Sequence, residues 1–194
     1  MNHPALVLVD IQQGFVEADY YGGNRNNPEA EKNAGRVLKS WREKGWPVIH
    51  IHHYSTNPKS PLFSKKPGVL AHMDVVPIEG EVCFKKTVHS GFIESPLQGY
   101  LQEKQISRLV FSGITTNHCV STNVRMANNL GFQCLVISDA TAAFDQKGPA
   151  GERIDAELIH RASLASLQDE FAQLTRTEAL LQQIDTGQIP MVNT

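Results

Sequence analysis

Cys119 lies where an apolar run gives way to a helical pattern, in Val110-Phe-Ser-Gly-Ile-Thr-Thr-Asn-His-Cys-Val-Ser-Thr-Asn-Val-Arg-Met-Ala-Asn-Asn-Leu-Gly131. A thiol at the start of a helix faces the positive end of the helix dipole and several unpaired backbone N–H groups. Both favour the thiolate, which is the reactive form. Taken alone, such a cysteine is as simply a small buried side chain beside a turn. Two further residues give it a chemical context. Asp10 closes the apolar run Ala5-Leu-Val-Leu-Val9, and Lys86 follows Glu81-Val-Cys-Phe-Lys85. A thiol as nucleophile, a partly desolvated carboxylate to take its proton and an ammonium to hold that carboxylate ionised form a set suited to acyl transfer. Backbone N–H groups of the turn and of Cys119 can then face the oxyanion; in well-studied hydrolases one such donor contributes about 2.7–4 kcal/mol.

These residues act together only if the elements carrying them share one end of a sheet. Ala5 to Val9 is apolar on both faces, as a central strand of a covered parallel sheet requires. Ile11 to Asn27, rich in Gly, Asn and aromatics, reads as a long loop. Asn27-Pro28 predicts a helix start, with Ala34, Val37, Leu38 and Trp41 at helical spacing and Gly45 closing it. Pro47 to His53 is a second strand. Tyr54 to Val75, with four prolines or glycines, is an irregular excursion. Glu81 to Lys85 is a third strand, followed by the loop Lys86 to Phe92 and a helix from Ser95-Pro96 to about Lys104. Arg108 to Ser112 is strand four, the Cys119 helix ends at Gly131, and Cys134 to Ser138 is strand five. A loop from Asp139 to Arg153 precedes a helix over 155–169; Phe171 to Thr175 reads as a short sixth strand and Glu178 to Ile184 as a last helix.

This alternation predicts an α/β fold: a three-layer α/β/α, Rossmann-like arrangement with a mostly parallel five- or six-stranded sheet, in one domain over 1–194. Ligands of such sheets bind beyond the carboxyl ends of the strands, where Asp10, Lys86 and the turn before Cys119 fall. The chain has 18 basic and 20 acidic residues, which leaves no electrostatic footprint for nucleic acid and no basic face for a membrane. No apolar run reaches the length of a membrane span, and Met1-Asn-His-Pro4 lacks a signal-peptide pattern. Three cysteines without a Cys-x-x-Cys pair fit reduced thiols, so a cytoplasmic setting is expected.

Leu8-Val-Asp10-Ile-Gln-Gln-Gly-Phe15, Lys86-Thr-Val-His-Ser-Gly-Phe92 and Gly113-Ile-Thr-Thr-Asn-His-Cys-Val120 occur in this order. Together they resemble the motifs of the isochorismatase-like cysteine hydrolases, with Arg125, Ala127, Asp139-Ala-Thr-Ala-Ala143 and His160 at weaker family positions. The resemblance spans essentially the whole chain. It implies Asp10, Lys86 and Cys119 as a catalytic triad and a cis peptide between Ile114 and Thr115. It also implies that the N–H of Thr115 joins that of Cys119 in an oxyanion hole. Asp10 would deprotonate Cys119, return the proton to a leaving amine and serve again as base when water opens the thioester. Isochorismatase itself cleaves a vinyl ether without needing the cysteine, so Cys119 directs the expectation to amide or imide C–N bonds of a small molecule. The pocket walls are expected from the Phe15 to Tyr21 loop, His53 and the Phe92 region, with Phe15 and Phe92 at family positions that tend to line the pocket.

No cofactor is implied. Some relatives hold a metal through an Asp-x-His pair after the second strand, but here that region reads His50-Ile-His52-His53-Tyr54, and the spacing of His72-Met-Asp74 is not diagnostic. No metal is therefore expected. Family members commonly form homodimers or homotetramers. Three other functions are consistent with parts of the pattern: a vinyl-ether hydrolase, a thiol-redox protein, and a binding protein on the same scaffold. A dinucleotide-binding oxidoreductase is disfavoured, because no Gly-x-Gly-x-x-Gly turn follows the first strand.

Overall fold

The computed structural model describes residues 3–186; residues 1–2 and 187–194, the ends of the expected 1–194 domain, lie outside the described residues. Its elements in chain order are β1 (Ala5–Val9), α1 (Ala18–Tyr21), α2 (Ala30–Glu43), β2 (Val48–His53), β3 (Val82–Lys86), α3 (Leu97–Glu103) and β4 (Arg108–Ile114). A π-helical turn (Thr116–Val120) leads into α4 (Ser121–Asn129), and β5 (Gln133–Ala142), β6 (Gln146–Lys147), β7 (Arg153–Ile154), α5 (Ala156–Ala165), β8 (Gln173–Thr175) and α6 (Thr177–Asp185) follow. The main sheet has six strands in the order β3-β2-β1-β4-β5-β8, every pairing parallel.

The two-residue period of a strand sorts its side chains between two cores. Val7 and Val9 of β1, with Phe111 of β4, face Leu97 and Leu101 of α3 and Val124 and Ala127 of α4. Leu6 and Leu8, with Val110, face Ala34, Val37, Leu38 and Trp41 of α2 and Leu180 and Ile184 of α6. Both faces of β1 are therefore dry, which is why its sequence is apolar without interruption. Each such fully buried aliphatic side chain contributes roughly 1.5–3 kcal/mol relative to exposure.

Several boundaries differ from the expectations. Lys86 is the last residue of β3, paired in register with His53, and not the first of a loop. Helix α2 starts at Ala30, because Asn27 adopts a left-handed conformation (φ 43°) and its amide serves elsewhere: Nδ2 donates to the carbonyls of Ser138 (3.0 Å) and Thr141 (2.8 Å). The expected loop at Asp139 is strand through Ala142. The register between β4 and β5 breaks between Phe111 and Gly113, where Ser112 Oγ donates to Ala140 O at 2.6 Å, and pairing resumes at Gly113–Thr141. That irregularity lets a polar stretch stay in the sheet.

Gly113 is the last residue of β4 paired with β1, opposite Val9. Its φ is 153°, and a Cβ there would press into the carbonyl oxygen of Val9, its partner in β1. Gly113→Ala is expected to cost more than about 2 kcal/mol and lower the thermal midpoint by about 4 °C or more, measured by calorimetry. An unchanged midpoint would show that the contact does not matter.

Candidate active site

The carboxyl ends of β1, β3 and β4 carry the three residues, with the end of β2 between those of β3 and β1. The chain leaves β1 through Asp10, whose φ of 53° is unusual for a non-glycine residue and turns its carboxylate in over the strand ends. Its backbone N–H stays paired with Ile51 O at 2.8 Å. Lys86 ends β3, two strands away from β1, and its side chain crosses above β2. Lys86 Nζ donates to Asp10 Oδ2 at 2.7 Å, to His53 Nδ1 at 3.3 Å and to Cys119 Sγ at 3.3 Å. Both side chains of the ion pair have no solvent exposure. A buried ion pair of this kind persists only because each partner neutralises the other.

Cys119 is the fourth residue of the π-helical turn that follows β4. The turn is held from three sides. Thr115 O accepts the N–H groups of His118 and Val120, both at 3.2 Å. Thr116 Oγ1 meets His160 Nδ1 of α5 at 2.8 Å. Asn123, fully buried, donates through Nδ2 to Cys119 O (2.7 Å) and His89 O (3.1 Å) and accepts Gly91 N–H at Oδ1 (2.7 Å). The peptide between Ile114 and Thr115 is cis.

The thiol is not an open thiolate. Burial pushes its pKa well above the ordinary thiol range; the Asp10 carboxylate adds to this, and Lys86 pulls back less strongly. This corrects the expectation drawn from the helix end. A helix dipole shifts an ionisation by up to about 2 kcal/mol, roughly 1.5 pKa units, whereas full burial shifts it by up to about 3–5 units. Asp10 Oδ1 has no hydrogen-bond partner, so that oxygen is available to receive the thiol proton.

A cavity of about 130 Å³ opens onto this group, with Asp10, Thr115 and Cys119 in its wall. Phe15, Tyr21 and Leu62 supply an apolar side, the Phe15 and Tyr21 rings 4.6 Å apart, and His53, His89 and His118 complete the rim. A larger depression of about 400 Å³, between Asn128 and Gln173, contains none of the three candidate residues. Phe15 and His53 thus line the cavity, whereas Phe92 does not: it packs on the core beside Phe132, ring centroids 6.1 Å apart. The reason is Gly91, which is drawn in against Ile51 and Asn123 and turns the following side chain inward.

His53 is held neutral, since burial and the Lys86 charge lower its pKa and its Nδ1 accepts from Lys86. His50 contacts Glu81 at 2.9 Å, and burial pushes His52 down to about 4. Among the described residues, no group of three or more His, Cys, Asp or Glu is placed to hold a metal ion. Arg125 Nη2 donates to the Ser166 carbonyl oxygen and Oγ, at 3.2 Å and 3.0 Å, so it joins α4 to the end of α5. Asp139 Oδ1 accepts Thr177 N–H at 2.7 Å, at the start of α6.

Gln12, His89, His118 and Asn123 had no role in the residue pattern. Gln12 is the clearest omission: it accepts His53 N–H at 2.8 Å and donates to Val69 O at 2.8 Å, fastening the β2 end to the loop over the site. Its place two residues after a strand-ending Asp was the available signal.

Residues 4–179 match the Isochorismatase domain family. The chain is 45% identical to the uncharacterized isochorismatase family protein YrdC of Bacillus subtilis (strain 168), over 91% of this chain and 94% of that protein. It is 26% identical to ureidoacrylate amidohydrolase RutB of Enterobacter sp. (strain 638), over 88% and 84% of the two chains. The crystal structure of an isochorismatase-family protein from Chromobacterium violaceum ATCC 12472, assigned as a hydrolase, superimposes with a TM-score of 0.90 at 33% identity, covering 96% of this chain and 95% of that one.

The raised thiol pKa has a direct consequence in the free protein. Alkylation tracks the thiolate fraction, and a pKa raised above its ordinary value leaves that fraction small at neutral pH. Iodoacetamide labelling of the Cys119 peptide, followed by mass spectrometry to separate it from the exposed Cys83, should be slow at pH 7 and still rising above pH 9. A rate that levels off near pH 7 would mean that Lys86 and the helix end outweigh burial.

Proposed function

The chain belongs to the isochorismatase family of hydrolases, and from that premise we propose that it cleaves a C–N bond of a small amide or imide through a Cys119 thioester. One observation carries the reading: a single buried ammonium, Lys86 Nζ, bridges the Asp10 carboxylate at 2.7 Å and the Cys119 sulfur at 3.3 Å. Asp10 takes the thiol proton as sulfur attacks the carbonyl carbon, so the thiolate exists only when there is a carbonyl to attack. Lys86 keeps Asp10 ionised beforehand and balances the charge that moves onto sulfur. The N–H groups of Thr115 and Cys119 face the oxyanion. A proton reaches the leaving nitrogen as the C–N bond breaks, and water then opens the thioester.

Two further observations support this reading. A relative with 26% identity is named an amidohydrolase. A redox role would call for a second thiol beside the first, yet Cys134 Sγ is directed at backbone carbonyls of Val124 (3.8 Å) and Phe132 (3.6 Å), while Cys83 is exposed on β3. The cavity of about 130 Å³ limits the substrate to a compact molecule.

The test is a panel of small amides and imides with ammonia detection. At least one member should be turned over, prior alkylation of Cys119 should stop it, and Cys119→Ala should lose at least about a thousandfold in rate with an unchanged unfolding midpoint. Turnover by Cys119→Ala close to that of the unmodified protein would defeat the scheme. Lys86→Met should both stop turnover and destabilise the fold by about 3–5 kcal/mol, because it leaves Asp10 buried without its partner.

A further inference from the structure

Hydrolysis by a thiol needs two proton transfers in each half of the cycle, one at sulfur and one at the group that leaves or attacks. Asp10 is well placed for the first. It has no solvent exposure, and one of its oxygens is bound to Lys86. A leaving amine must instead depart toward the open side of the cavity. His89 and His118 stand on that side, both exposed to solvent and lining the cavity, and it is His89 that brings its Nδ1 to 3.6 Å from Cys119 Sγ.

His89 is held there by construction. Fully buried Asn123 spends both protons of its side-chain amide on two carbonyls, those of Cys119 and His89, and its oxygen on the N–H of Gly91. The backbone of the nucleophile and the backbone of the histidine are thus tied to the same buried amide. Gly91 admits this approach, since a Cβ there would crowd Ile51 and Asn123 Oδ1. The His89 ring lies 6.0 Å from that of His118, at the outer rim of the same cavity.

We infer that His89 is a second acid–base residue of this enzyme, which gives its proton to the leaving nitrogen and later takes one from the attacking water. The inference rests on Cys119 as nucleophile, and it divides between two groups the work that the residue pattern assigned to Asp10 alone. In the tetrahedral adduct, sulfur and the leaving nitrogen share one carbon, so a ring 3.6 Å from sulfur on its open side is placed to meet a nitrogen that departs toward that side. Asp10 takes the thiol proton as the S–C bond forms. The oxyanion's electron pair restores the carbonyl, the C–N bond breaks with its pair going to nitrogen, and nitrogen receives the proton of the His89 imidazolium. Water then attacks the thioester and passes a proton to the neutral His89 ring. The C–S bond breaks with its pair going to sulfur, and sulfur recovers its proton from Asp10. Asp10, Cys119 and His89 all return to their starting states, and the net change is amide plus water to acid plus amine.

The experiment compares leaving groups. The fastest amide of the ammonia-release panel is paired with the 4-nitrophenyl ester of the same acid, whose nitrophenolate departs without a proton. His89→Gln and His89→Ala should lose about a hundredfold or more on the amide while acylation by the ester stays within about threefold, with unfolding midpoints unchanged. An equal loss on both substrates would make His89 a support for the nucleophile or the pocket. No loss on the amide would remove it from the chemistry. An unmodified protein that is acylated by esters yet hydrolyses no amide would overturn the amidase reading, and the role of His89 with it, while leaving Cys119 a nucleophile.

Discussion

The buried contact between Lys86 and Asp10 is the constraint around which this molecule is arranged. A charge taken out of water needs a partner at close range, and here the two come from β3 and β1, with β2 between them. Adjacent strands lie about 4.7–4.9 Å apart, so Lys86 must span roughly twice that distance. It does so because it ends its strand in register with His53, whose neutral ring lies under the ammonium as a third partner. Asp10 meets it halfway by leaving β1 in a left-handed turn. Gln12 then fastens the β2 end beneath them.

Desolvation of that pair also sets the state of the sulfur. The same dry surroundings that strengthen the ion pair disfavour a free thiolate, so Cys119 waits as a thiol with a proton acceptor beside it. In the proposed reaction the sulfur therefore loses its proton only as a carbonyl enters the cavity, and the exposed Cys83 does not share these surroundings. Groups that position Cys119 come from several sides of its turn: His160 from α5, Asn123 from α4 and the β4–β5 irregularity below. Most of these are polar side chains with complete hydrogen bonding inside a core, which is the condition under which buried polarity stiffens a site.

Parts of this were legible in the residue order. An uninterrupted apolar run marked β1, because a strand covered on both faces leaves little room for a polar side chain, and shorter apolar stretches marked β2 and β4. Asp10 and Cys119 stood out as reactive types directly after such runs. Other parts were misread for identifiable reasons. Lys86 looked like a loop residue, since a lysine ending a strand is indistinguishable from a solvated one until its partner is known. Asp139 to Ala142 looked like a loop, because strand pairing there is rescued by Ser112 across the sheet. Phe92 looked like a pocket wall, and the inward pull on Gly91 sent it to the core.

The residue order by itself determined the alternating α/β architecture and the position of each reactive group at the end of a strand, because both follow from local periodicity and from where apolar runs stop. Tertiary structure decided how closely those groups meet, that burial raises the pKa of the Cys119 thiol, and that His89 and Asn123 stand beside it. Those outcomes depend on strand order, burial and hydrogen-bond partners that are distant in the chain: Asp10 and Lys86 are 76 positions apart, and no local pattern encodes the dielectric in which they pair.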